Sequence, residues 1–122
     1  MAISWKSYYK RIPSSIVIGK NTYEVLWINE FKDEKQLGES RFAEHKQIVI
    51  NTNQPIKEAV HTYFHEVVHA ISFEYDADLT EKQVLAIEKS LTVILKNGNL
   101  FRKDNKNDKA NKRKRRSIKR VR

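Results

Sequence analysis

Residues 55–75, PIKEAVHTYFHEVVHAISFEY, decide how this chain is read. Ile56, Ala59, Val60, Tyr63, Phe64, Val67, Ala70 and Ile71 recur at three- and four-residue spacing, the period of an α-helix with one apolar stripe. A proline is tolerated in a first helical turn, so Pro55 marks the start, and the pattern runs to about Tyr75. At about 100° per residue the apolar positions centre on the side of Val67, while Glu58, Thr62, His65, His69 and Ser72 share the opposite, polar stripe. Such a helix buries one face and offers the other to a cleft or to solvent.

Beyond it, Asp76-Ala77-Asp78-Leu79 breaks the period. Thr80, with Gln83 three residues on, then forms a capping box that opens a second helix reaching about Lys96. Asn97-Gly98-Asn99 is the stop signal. Upstream, Ile16-Val17-Ile18 and the run 23–27 flank Gly19-Lys20-Asn21 as a β-hairpin. Runs 40–44 and 47–51, on either side of His45-Lys46, form a second pair, and 30–39 reads as a loop. Trp5, Tyr8 and Tyr9 suit a short N-terminal helix capping the core. The expected fold class is α+β, a small antiparallel sheet of three or four strands packed on two main helices.

A chain of 122 residues supports one hydrophobic core. Its charge is unevenly placed. From Arg102 to Arg122 twelve Lys or Arg face Asp104 and Asp108, a net of +10, whereas 1–101 carries twelve bases and thirteen acids, a net of −1. The domain is therefore expected at 1–101 and a disordered basic tail at 102–122, because the tail lacks the apolar residues needed to offset its ordering entropy. Lys112, Arg113, Lys114, Arg115, Arg116, Lys119 and Arg120 are candidate nucleic-acid-binding residues, attracting phosphates without reading sequence. No apolar run approaches the roughly 18 residues of a membrane span, and the N-terminal residues lack the apolar block of a secretory signal. A cytoplasmic location follows as the expectation. With no cysteine, any metal must be held by His, Asp or Glu.

Within the helix, His65-Glu66-Val67-Val68-His69 carries the chemistry. Histidines four residues apart project side by side from consecutive turns and can grip one zinc ion. A zinc ion held in this way keeps a position for water and lowers its pKa to roughly 7. Glu66, adjacent to both, is placed to take the water's proton and return it to the leaving amine of a peptide. His61 extends the ladder but lies about 12 Å along the axis from His69, too far to share the ion.

A third ligand is sought in the next helix. Val84, Ile87, Leu91, Ile94 and Leu95 form its apolar stripe, and Glu88 falls inside it, where an unpaired carboxylate is costly and a metal would relieve the cost. Glu81, on nearly the same face, sits in the first turn, where the helix dipole already favours an acid. Placement favours Glu88 over Glu81, with Glu74, Asp76 and Asp78 as lesser candidates.

From about Gln47 to Leu95 the chain resembles the compact bacterial and bacteriophage metallopeptidases related to the ImmA/IrrE and SprT-like groups, minimal gluzincin-type proteins. The likeness lies in Ile48-Val49-Ile50-Asn51, in HEVVHA at 65–70 and in LTEKQVLAIEKSL at 79–91. It implies a zincin-like core, zinc on His65 and His69, Glu66 as general base, and a downstream glutamate completing the site. Members of the ImmA/IrrE group carry that glutamate three residues before a small or apolar residue, which matches Glu81 followed by Val84. The spacer after the histidine pair is short, implying a reduced cleft and narrow specificity. Proteins of these groups act on DNA-bound regulators or on protein associated with DNA. The expected function is thus a zinc endopeptidase acting on a protein or peptide, brought to nucleic acid by its tail. The alternatives are a non-catalytic nucleic-acid-associated interaction or anti-repressor protein with a structural zinc site, and a bare zinc domain closed by four protein ligands.

Overall fold

The computed structural model of the chain describes residues 4–98. Its elements run α1 (Trp5–Arg11), β1 (Ser15–Ile18), β2 (Asn21–Ile28), β3 (Gly38–Arg41), β4 (Gln47–Asn51), α2 (Ile56–Glu74) and α3 (Glu81–Lys96). The class is α+β, as the sequence predicts, with four strands and three helices. The tail and its candidate nucleic-acid-binding residues lie outside the described residues.

The sheet departs from the antiparallel expectation. Its order is β1-β2-β4-β3, so β4 lies between β2 and β3 and pairs parallel to β2, in the register Val25↔Ile48 and Trp27↔Ile50. The other two pairings are antiparallel. A signal for this was present: Ile48, Val49 and Ile50 are consecutive apolar residues, each 0% exposed, as a central strand covered on both faces requires.

β3 begins two residues earlier than the run 40–44 and ends sooner. Gly38 permits the early start, because a Cβ there would meet Thr62 Cγ2 at 2.5 Å, so only glycine lets the strand press this closely on α2. Phe42 ends it by leaving the ladder to stack on Phe73, ring centroids 4.3 Å apart.

Tyr63, Val67 and Ala70 of α2 pack into the core with Tyr23, Val25, Ile48 and Ile50 of the sheet. α3 packs on α2, so the two main helices do not both lie on the sheet. Its packing face is also rotated from the predicted stripe: Val84, Glu88 and Thr92 are buried, whereas Ile87 and Ile94 are about two-fifths exposed. Polar contacts explain the rotation. Glu88 pairs with His61 across the helices, and the Tyr8 hydroxyl of α1 donates to the Leu95 carbonyl.

The turn between the helices sets their relation. Asp76 and Asp78 take left-handed φ values of 52° and 51°, which Asp tolerates better than most residues. Ser72 closes the turn, its carbonyl accepting from Ala77 N (2.9 Å) and its hydroxyl from Leu79 N (2.9 Å). Thr80 then caps α3 through the expected capping box. The first turn of α3 thereby returns beside the middle of α2.

Candidate metal centre

His65 and His69 project from consecutive turns of α2, with their Nε2 atoms 3.2 Å apart. Glu81, in the first turn of α3, reaches both: Oε1 lies 2.8 Å from His65 Nε2, and Oε2 lies 3.0 Å from His69 Nε2. Around a tetrahedral ion with ligand bonds of about 2.0–2.1 Å, donor atoms stand about 3.3 Å apart. The two short contacts use different oxygens of Glu81; taking one donor atom from each residue, the three lie within 4.8 Å of one another, and their chemistry, two imidazoles and a carboxylate, suits zinc. Among the described residues this group has three protein donors. Glu81 is 60% exposed and His69 31%, so the centre opens to solvent on that side.

Glu88, which placement along the helix favoured, is not part of that group. His61 Nδ1 lies 2.6 Å from its Oε2, and this pairing offsets the cost of burying the carboxylate. Its other oxygen lies 3.8 Å from His65 Nδ1, on the side of the ring away from Glu81. Glu88 and His61 thus back the centre from within the protein. Of the lesser candidates, Glu74 is engaged at the far end of α2 and Asp76 and Asp78 shape the turn.

Glu66 is 8% exposed and faces β3. The Ser40 hydroxyl lies 2.7 Å from its Oε1 and 2.8 Å from its main-chain oxygen. Burial raises the proton affinity of the carboxyl above its ordinary value; the bond from Ser40 and the charges of His65 and His69 act in the opposite sense. Sequence reading missed Ser40, because its 26-residue separation from Glu66 obeys no local spacing rule. It also placed Thr62 and Ser72 on an open polar face. Both are buried and bonded, Thr62 donating to Gln54 Oε1 at 2.9 Å and Ser72 accepting from Leu79.

A cavity of about 390 Å³ adjoins the centre, bounded by α2, α3 and the residues leading into β3, with His65 and Glu66 in its wall. Comparison of the chain with protein-family models, with curated proteins and with solved structures finds no match. Among the described residues, no helix is long and apolar enough to cross a membrane.

Proposed function

We propose that this chain is a zinc-dependent endopeptidase in which His65, His69 and Glu81 hold the ion and Glu66 is the general base. One observation carries the reading: three donors of the kind zinc takes converge within 4.8 Å of one another, and the residue between the histidines that supplies a base is a buried carboxylate beside a cleft. Three protein donors with a solvent-facing side suit a catalytic site, which keeps a position open, better than a structural one closed by four.

When bound there, zinc lowers the pKa of a water and polarises a peptide carbonyl. Glu66 accepts the proton of the attacking water at its carboxylate and delivers it to the departing amine. Ser40 holds one carboxylate oxygen and so limits the rotation of the side chain. Glu88 places a carboxylate 3.8 Å behind His65 Nδ1, on the side of the ring away from Glu81 and His69. β3 is an edge strand whose Ser40 side chain touches Glu66, and an extended peptide can add to such an edge.

The twelve Lys and Arg of 102–122 favour a protein drawn to DNA or RNA, with binding that weakens steeply as salt is added. A protein bound to nucleic acid is accordingly the substrate we favour.

Elemental analysis tests the site. Wild type and the Glu66→Gln and Glu88→Gln variants should each carry one zinc per chain, whereas His65→Ala and Glu81→Gln should lose it. Zinc absent from wild type after supplementation refutes the reading, and peptide hydrolysis that survives in zinc-loaded Glu66→Gln refutes the role of the base.

A further inference from the structure

Building on the peptidase reading, we infer that the cavity beside Glu66 is a subsite for one bulky apolar side chain of the substrate, next to the bond that is cut. Its position supports this, since His65 and Glu66 stand in its wall and a group filling it lies beside the proposed base. Its lips support it too. Leu37, just before β3, and Leu85 of α3 both line it and remain 45% and 39% exposed. Large apolar side chains left open on both lips of a cleft are covered favourably by an apolar ligand.

Three of the polar groups that line the cavity hold partners within the protein. His61 Nδ1 lies 2.6 Å from Glu88 Oε2, Thr62 donates to Gln54 at 2.9 Å, and Glu66 is bonded to Ser40 at 2.7 Å. Among the described residues no buried side-chain nitrogen or oxygen lacks a partner. Lys57, which also lines the cavity, turns its ammonium toward Trp5, 5.8 Å from the ring centroid. Glu58, an exposed carboxylate, stands at the cavity as well; apart from it and Lys57, what the cavity offers an entering group is mainly the uncovered surface of the leucines.

Two experiments on the full chain separate this inference from the peptidase reading. In the first, leucine methyl resonances are followed by NMR while N-acetyl-phenylalanine amide, N-acetyl-leucine amide, N-acetyl-aspartate amide or N-acetyl-lysine amide is added. The Leu37 and Leu85 methyls should shift and saturate with the apolar amides at concentrations at least tenfold lower than with the charged ones. Leu85→Glu and, separately, Leu37→Glu should abolish the response. Equal response to all four amides, or preference for the aspartate amide through Lys57, overturns the inference. In the second, the zinc-loaded chain digests a mixed peptide pool. Cleaved bonds should be enriched in Leu, Ile, Met or Phe on one side, and Leu85→Glu should erase the enrichment with zinc content unchanged. Cleavage without side-chain preference overturns the subsite while leaving the peptidase standing. Selective filling by apolar amides without any cleavage leaves an apolar binding site and removes the peptidase.

Discussion

Glu66 and Glu74 lie two turns apart on α2, both nearly closed to solvent, and their proton affinities move in opposite directions. Glu74 takes a bond from Lys46 Nζ at 2.8 Å, one from the Tyr23 hydroxyl on the same oxygen, and one from Asn21 Nδ2 at 2.6 Å on the other. These donors, the Lys46 bond foremost, hold its pKa down at about 2. Glu66 has the Ser40 hydroxyl, and burial prevails. Burial alone therefore does not decide the state of a carboxylate; the number and charge of its donors do. Glu74 takes three donors and fastens the end of α2 to the hairpin, whereas the carboxylate of Glu66 takes one, from Ser40.

The largest expected effect falls on Glu66. Glu66→Gln should lower peptide hydrolysis about 10²- to 10⁴-fold, measured on zinc-loaded protein, while its thermal midpoint stays level or rises. A fall in stability comparable to that of a Glu74 variant would erase the contrast between the two.

Glu74→Gln should do the reverse, leaving zinc content intact and lowering stability at neutral pH. Its folded pKa of about 2 is below the ordinary glutamate value of 4.5, so its contribution is complete above about 4.5 and is lost as pH falls toward 2. Denaturant titrations of wild type should show stability declining through that window, and the variant should lack this part of the decline. Identical acid profiles would refute the assignment.

Gly38→Ala sharpens the comparison from the strand side. Its Cβ would stand 2.5 Å from Thr62 Cγ2 and 3.2 Å from Glu66 Cγ, so β3 must shift. A loss of about 1–3 kcal/mol in chemical denaturation is expected. Ser40→Ala, the mildest change, removes the hydroxyl that Glu66 uses and should cost about 1 kcal/mol, with zinc retained and hydrolysis reduced. Unchanged hydrolysis would mean that Ser40 does not position the base.

Much of this was readable in the sequence. The extent of α2, the capping box at Thr80, the hairpin around Gly19-Lys20 and the short helix bearing Trp5, Tyr8 and Tyr9 all lie where local patterns place them. The parallel neighbour of β4 was less evident, since two apparent hairpins in series suggest a meander, and only the unbroken apolar run 48–50 argues against one. Placement along the helix favoured Glu88 over Glu81, and only the family resemblance matched Glu81. Both lie on nearly the same face of α3, seven residues apart, and helical period cannot tell one from the other.

By itself, then, the sequence determined which side chains share a helix face, because α-helical geometry depends on spacing alone: His65 and His69 were bound to emerge together once α2 formed, with Glu66 about 100° round the helix from His65. The tertiary structure decided what meets that face. The turn at 76–79, closed by Ser72, brings Glu81 to the histidine pair and leaves Glu88 to His61, and the placement of β3 at the sheet edge, pressed on α2 through Gly38, brings Ser40 to Glu66. These contacts depend on loop conformation and strand order, and no periodicity within a single element encodes them.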